Sequence, residues 1–209
     1  MGRVISSISR GMVILLAIGA MLIYMSGTMF ITSLKPPKSF DDLWQTAPEK
    51  GMHIKGEVML SYECFSYEET WRENNGSRTK AKTSAYYYAV PLKDTVIALE
   101  VPTRDYDAME NVVDNTFSYL YEDGEEPVSG VAVEGRLKKM DSDLQDMFRE
   151  YMFSIGYTEE DLDGMDEFLM IEQPSSMMIV RIMFGIGVLL ILISILIFGF
   201  RFKNNGMRS

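Results

Sequence analysis

The stretch "EEDLDGMDEFLM" at 159–170 holds the densest set of residues able to do chemistry. Glu159, Asp161, Asp163 and Gly164 fall at positions 1, 3, 5 and 6 of an EF-hand calcium loop, which takes oxygen ligands and a turn-forming glycine there. Position 12 calls for a bidentate carboxylate and holds Met170, and position 1 lacks its aspartate. Leu162, Met165 and Leu169 share a helical face instead, and Thr158 with Asp161 matches a capping box. The segment therefore reads as a short helix, with Glu159, Asp161 and Asp163 kept only as weak metal-ligand candidates. The expected cofactor set is empty.

Enzymatic constellations fare no better. His53 is the sole histidine and Cys64 the sole cysteine, so a cysteine-pair metal motif and an intrachain disulfide are both excluded. A serine–histidine relay would rest on His53 alone, without a nucleophile-elbow motif. Phosphate-loop and dinucleotide fingerprints are missing. Carboxylates are plentiful, but no pair stands out, so no catalytic residue is assigned and a non-enzymatic role is expected. Met21, Met25 and Met29 share a face of an apolar stretch. Thioether rows suit Cu(I), yet no histidine or cysteine lies near them and methionine packs adaptably, so helix packing is the reading.

Two further groups concern binding. In "SAYYYAVPLKDTVIALEVP" (84–102), Tyr86, Tyr88, Val90 and Leu92 alternate on one side. Across a Lys93-Asp94 turn they meet Ile97, Leu99 and Val101, while Tyr87 and Ala89 point the other way beside Val96 and Ala98. Tyr87 is thus the aromatic free to stack on a ligand, its alternative being ordinary sheet packing. The polar segment "EETWRENNGSRTKAKT" (68–83) reads as a loop with a basic tip. Its Arg72, Arg78, Lys80 and Lys82 are candidates to touch anionic lipid or wall polymer, against the alternative of a solvated loop. Asn75-Gly76-Ser77 is a glycosylation sequon where the host modifies exported chains.

The elements that carry these residues begin and end with apolar runs. Residues 11–34 contain no charge and make a helix about 36 Å long, enough to cross a bilayer. The second run, 177–200, has an uncharged core from Ile182 to Phe200, about 28 Å long as a helix, with Arg181 able to snorkel at its start. The first run is too long for the apolar core of a cleaved signal peptide, and an anchor is expected. Gly19, Ala20 and Gly27 in one run, and Gly185, Gly187 and Ser194 in the other, offer small surfaces on which the spans pair with each other or with copies.

Charge is sharply partitioned. All 30 Asp and Glu lie between Asp41 and Glu172, and 14 of the 20 Lys and Arg lie between Lys35 and Arg149, leaving the span from Lys35 to Glu172 near −16. Such a domain repels polyphosphate, so nucleic acid is not an expected partner, whereas membrane lipid is. Arg201, Lys203 and Arg208 outnumber Arg181 about the second span, while Arg3 and Arg10 oppose Lys35 and Lys38 about the first. The expected topology puts 1–10 and 201–209 in the cytoplasm and 35–176 outside the cell membrane.

Within 35–176, Ser39 caps a turn bearing Phe40, Leu43 and Trp44, which either lies in the headgroup layer or packs on the domain. "HIKGEVMLSYEC" (53–64) alternates as a single strand. Two more strands follow at 84–102, then a helix with Met109, Val112, Val113, Thr116, Phe117 and Leu120 on one face, capped by Asp105 or Asp107 and ended by Gly124. "SGVAVEGRL" (129–137) alternates again. Asp141 caps a helix facing inward through Leu144, Met147, Phe148, Tyr151, Met152 and Ile155, and 167–173 makes a last strand. The order strand, strand, strand, helix, strand, helix, strand fits an α+β domain built as a small OB-like β-barrel between two membrane helices.

The sequence "KGEVML…YYYAVPL…IALEVP…GVAVEGRLKKMD" between terminal spans resembles a family of small uncharacterised bacterial membrane proteins of the kind seen in Gram-positive anaerobes. In layout alone it is similar to the NfeD-like proteins, which carry membrane-linked OB domains. The resemblance implies the two-span arrangement and transfers no site residues. Three functions stay open: a non-enzymatic binding or scaffolding module for a protein partner or an envelope component, with a membrane-protein partner or a homo-oligomer expected through the spans; an extracytoplasmic sensor or regulator of a membrane complex; and a metal-dependent enzyme or transport accessory.

Overall fold

The structure is a computed structural model that describes residues 10–71, 73–74, 77–122, 124–165, 167–174 and 176–207. In chain order its elements are α1 (Arg10–Ser33), α2 (Phe40–Gln45), β1 (His53–Val58), β2 (Cys64–Thr70), the two-residue strands β3 (Glu73–Asn74) and β4 (Ser77–Arg78), β5 (Lys82–Pro91), β6 (Val96–Pro102), α3 (Tyr106–Tyr121), β7 (Val131–Lys139), α4 (Ser142–Ser154), α5 (Glu159–Asp163), β8 (Leu169–Glu172) and α6 (Met177–Met207). They divide into two compact units, the pair α1 and α6 and the domain Lys35–Ser175.

Helices α1 and α6 are each long and apolar enough to cross a bilayer, with mean hydropathy 2.1 and 2.9 over their candidate spans. Only 17% and 11% of those spans is buried, whereas the core helix of a water-soluble fold is mostly covered. They pair antiparallel. A Cβ on Gly19 would stand 2.8 Å from the Gly187 carbonyl oxygen, and one on Gly187 would stand 2.9 Å from that of Gly19. Only glycine permits so close a backbone approach. Ser194 Oγ donates to the Met12 carbonyl at 3.0 Å, Phe30 and Phe184 stack at 3.9 Å, and Arg181 donates to the Ser33 carbonyl at 3.0 Å. Of the expected small residues, Gly19, Gly187 and Ser194 make this contact, while Cβ atoms on Gly27 or Gly185 would meet nothing within 4 Å. The methionine row divides as well: Met29 packs on Met177 and Val180, and Met21 and Met25 are exposed.

In the domain, six strands form one sheet in the order β1-β7-β8-β6-β5-β2, antiparallel throughout except for the parallel β6–β8 pair. The expected closed barrel of five strands is therefore corrected to an open α+β sheet. Its cause is the stretch expected to be one strand, 53–64. That stretch breaks after Val58, and β1 and β2 become opposite edges of the sheet. At the break the Ser61 N–H bonds Thr116 Oγ1 at 3.0 Å, so a helix side chain takes the place of a strand neighbour. Alternation cannot reveal this: Val58 and Cys64 keep the spacing of one face and pack on one core, while Tyr62 between them turns to the other side of the sheet. A flat sheet would hold its edges about 24 Å apart. The six steps from Val58 to Cys64 reach at most about 21 Å, and Tyr62 already bonds the Ala89 carbonyl at 2.8 Å, so the sheet is curled.

The concave face of the sheet encloses Ile54, Val58, Tyr88, Leu99, Leu137 and Ile171, closed by Met109 and Val112 of α3 and by Phe40 and Leu43 of α2. Ser39 and Asp42 make the full capping box that starts α2, so two of the three residues on that turn pack on the domain and Trp44 stays 42% exposed. The opposite face holds a second core, with Leu144, Phe148 and Met152 of α4 and Leu162 of α5 covering Ala89, Ala98 and Met170. Asp141 caps α4 through the Leu144 N–H, and Gly156, at φ +102°, leads out of it. Asp105 makes no side-chain cap on α3, which enters from the tight turn Thr103–Asp105. Phe117, Leu120, Met147 and Ile155, expected on buried helix faces, are exposed.

The expected loop 68–83 is corrected too. β2 runs to Thr70 opposite Lys82, and Glu73 pairs Arg78 beyond it. A two-stranded arm thus continues past Ala85, where the ladder of β5 with β6 begins at Pro102.

Candidate functional site

One row of side chains crosses the face of the sheet that α4 covers in part. Register pairs His53 with Arg136, Arg136 with Glu172, Tyr87 with Glu100 and Ser66 with Tyr87. Continuing the parallel steps Ala98–Met170 and Leu99–Ile171 by one residue sets Glu100 beside Glu172. Residues paired across strands share a face, so six strands contribute His53, Arg136, Glu172, Glu100, Tyr87 and Ser66 in turn. His53 is buried and the rest are half-buried.

The charges in this row are unequally compensated. Glu172 accepts from Arg136 Nη2 and Lys138 Nζ, both at 2.9 Å. Burial opposes its ionisation, but those bonds outweigh burial and hold its carboxyl below the ordinary value. Glu100 has no hydrogen bond or ion pair to its carboxylate among the described residues. Burial pushes its carboxyl up to about 7, eased by Lys138 and reinforced by Glu172 and Glu68. Two neighbouring carboxyls thus diverge, one ionised and one poised to trade a proton near neutrality. Arg136 Nε is buried without a partner among the described residues. His53 donates through Nδ1 to the Lys35 carbonyl at 3.1 Å, and its Nε2 lies 3.1 Å from Glu134 Oε1. Lys55 Nζ reaches the other Glu134 oxygen at 3.3 Å.

A second feature lies on the opposite side of the domain. A groove of about 830 Å³ opens between α2, the end of β1 and the end of α3. Phe40, Trp44, Val58, Pro91 and Leu120 give it apolar walls, and its charged lining residues are Asp41, Glu57 and Glu126, all acidic. Along its wall the outer edge of β1 is paired with Lys38 as far as Lys55 and is open only at Glu57 among the described residues. Lys38 N–H bonds the His53 carbonyl at 2.8 Å and Lys55 N–H bonds the Lys38 carbonyl at 2.9 Å, so His53 and Lys55 direct their backbone groups away from β7. By alternation Glu57 does the same, and no backbone hydrogen bond covers it among the described residues.

A family model matches residues 2–199. The chain belongs to DUF8577, a domain of unknown function. No curated protein and no solved structure matches it. The DUF8577 match takes in α1 and almost all of the span in α6, so paired apolar helices and domain together make up the family unit.

Within this DUF8577 chain the residues singled out from sequence are dispersed. Tyr87 is half-buried in the second core, its ring centroid 6.4 Å from that of Phe65, and burial, then Glu100 and Glu68, push its hydroxyl pKa up. Arg78 places its guanidinium 5.4 Å over the Trp71 ring, Lys80 and Lys82 are exposed, and Arg72 lies outside the described residues. Glu159, Asp161 and Asp163 sit on the helix α5 rather than in a loop. Thr158 caps that helix and Asp161 completes the capping box by accepting from the Thr158 N–H, and Glu159 and Asp163 each approach Arg149 at 3.5 Å. Met170 lies in the second core. Among the described residues no group of three potential metal ligands gathers.

The row and the groove were missed. A signal for the row exists in "IALEVP" and "VEGRLKK": Glu100 interrupts an otherwise apolar strand, and Arg136 and Lys138 share a face of β7. Assigning them to one site needs the strand order, which brings β8 between β6 and β7.

Proposed function

We propose that this chain is a two-span integral membrane protein of a bacterial cell, with both termini cytoplasmic and the domain outside, and that the domain is a non-enzymatic binding or scaffolding module. The observation carrying this reading is the groove beside β1, an apolar surface with an acidic rim and a strand edge open at Glu57. Apolar clefts with a few convergent polar groups are where partners and ligands dock, and a bare strand edge accepts an added strand. The apolar, poorly covered α1 and α6 support membrane residence, and the excess of basic residues after α6 supports the orientation.

The OB-like reading belongs here in revised form. If β1 and β2 are taken as one bent strand, the spatial order, the parallel β6–β8 pair and the helix between the third and fourth strands are those of an OB barrel opened at its first strand. In that family of barrels the outer face of strands two and three is a ligand surface, but here α4 lies on it.

Photocrosslinking tests the module. A photoreactive phenylalanine analogue at Trp44 is expected to yield a discrete adduct in intact cells, and the same probe at exposed Tyr67 is not. Equal labelling at both sites, or none at Trp44, would overturn the proposal.

Glu100 favours a second reading, a proton-responsive regulator. Under it, exchanging both spans for unrelated apolar helices abolishes activity, whereas a passive scaffold tolerates the exchange. The Trp44 adduct would also vary between pH 6 and pH 8 in the native chain and not in Glu100→Gln.

A further inference from the structure

We propose that the groove beside β1 receives the two-stranded arm of a second copy of this chain. The inference rests on the groove being a docking surface and names its occupant. Charge selects it. Asp41, Glu57 and Glu126 rim the groove and, among the described residues, none of them is in an ion pair. Elsewhere on the acidic domain Lys55 is paired to Glu134, Arg104 to Asp105, Arg136 and Lys138 to Glu172, Lys139 to Glu167 and Arg149 to Glu159 and Asp163, while Lys35, Lys38, Lys50 and Lys93 are scattered rather than set in a row. Arg78, Lys80 and Lys82 form no ion pair among the described residues, and they follow one another at every second position on the returning side of the arm, which carries exposed Trp71 on its other side.

Shape agrees with charge. The arm is β-structure without sheet neighbours beyond Ala85, and the groove offers the bare edge of β1 at Glu57. Adding an extended basic segment there satisfies backbone groups on both sides while apolar residues fill the cleft. The contact cannot be made within one chain. The arm leaves at Lys82 and the groove is walled by Val90 and Pro91, at the other end of the same strand, β5, about 26 Å away along it. Arm and groove are different surfaces, so each contact joins unlike residues; placed head to tail it closes into a ring or continues as a row, and exchanged reciprocally it closes as a two-fold dimer.

The test uses the full chain in native membranes with Cys64→Ser as background. Chains carrying Glu57→Cys are mixed with chains carrying Lys80→Cys and oxidised mildly. Mixed adducts are expected to exceed like-with-like adducts about tenfold, because the contact joins Glu57 of one copy to Lys80 of another. Glu57→Lys and Lys80→Glu should each abolish self-association, and a chain carrying both should regain it, because the charges are exchanged rather than lost. Absence of the mixed adduct, with both thiols shown reactive to a soluble maleimide, overturns the inference, as does self-association that survives Glu57→Lys. If the Trp44 probe then still captures another protein, the docking surface stands and only its occupant is wrong; if it captures nothing, both fall.

Discussion

Glu100 and Glu172 stand side by side on β6 and β8, yet only Glu172 is neutralised by cations, accepting from Arg136 and Lys138. This inequality makes the domain's stability depend on pH in a defined direction. Glu100 holds its proton up to about 7 in the fold and to an ordinary carboxyl value, near 4.5, when unfolded. Its contribution is fully present below about 4.5 and is lost as pH rises through about 7, amounting to about 3 kcal/mol at most. Glu172 acts in the opposite sense, adding stability above the ordinary carboxyl value that is lost as pH falls through its lower folded value. Denaturant midpoints followed by tyrosine and tryptophan fluorescence should therefore decline from pH 5 to pH 7.5. Glu100→Gln should flatten that decline and raise the midpoint at pH 7.5. A flat native profile would show that Glu100 titrates normally.

Gly135 sits under β8, where an added Cβ would lie 2.5 Å from the Glu172 carbonyl oxygen and 2.7 Å from Ile171 Cγ2. Neither neighbour can retreat without breaking the β7–β8 ladder. Gly135→Ala should cost about 3 kcal/mol, the upper part of the overpacking range. Gly56→Ala, whose Cβ would meet the edge of the Phe40 ring at 3.3 Å, should cost less, because a ring edge yields more readily than backbone. The ranking of their melting temperatures checks this.

Phe148 is wholly buried between α4 and the sheet, edge-on to Phe65 at 5.3 Å and to Phe168 at 5.8 Å. Phe148→Ala should remove about 3–5 kcal/mol. Loss of the α4 cover should also raise the reactivity of Tyr87 toward a water-soluble tyrosine reagent, with Tyr67, already exposed, unchanged. Mass spectrometry of the modified peptides reads both sites.

The Gly19–Gly187 crossing predicts that Gly187→Leu forces α1 and α6 apart, since even a methyl group would meet the Gly19 carbonyl oxygen and Ile23 Cγ1 at 2.9 Å. Gly185→Leu, at a position open to its surroundings, should leave the pair intact. Spin labels at exposed Val13 and Ile195 should report a longer, broader distance in the first variant and the native distance in the second.

Much of the secondary structure was legible because its causes are local. Ser39, Asp141 and Thr158 cap the helices they were expected to cap, since a side-chain oxygen two or three residues from an orphan N–H decides the matter. The facing sets Tyr88, Val90 and Ile97, Leu99, Val101 share one core, as strand alternation demands. The break at Ser61, the arm beyond Ala85 and the burial of Tyr87 were illegible, because each depends on a partner far along the chain: Thr116, Lys82 against Thr70, and α4.

From composition and periodicity alone came the two apolar helices, the acidic middle, the caps and the inward faces of the strands, all properties of residues within a turn or two of one another. Tertiary structure alone decided that one alternating stretch becomes two opposite sheet edges and that Glu100, Glu172, Arg136 and His53 line up across four adjacent strands. It alone also left the edge of β1 open at Glu57 beside an acidic groove. The reason is physical. A strand's pattern states which side chains turn inward, but not which strand lies next to it, and the charge around a carboxyl such as Glu100 belongs to its neighbours.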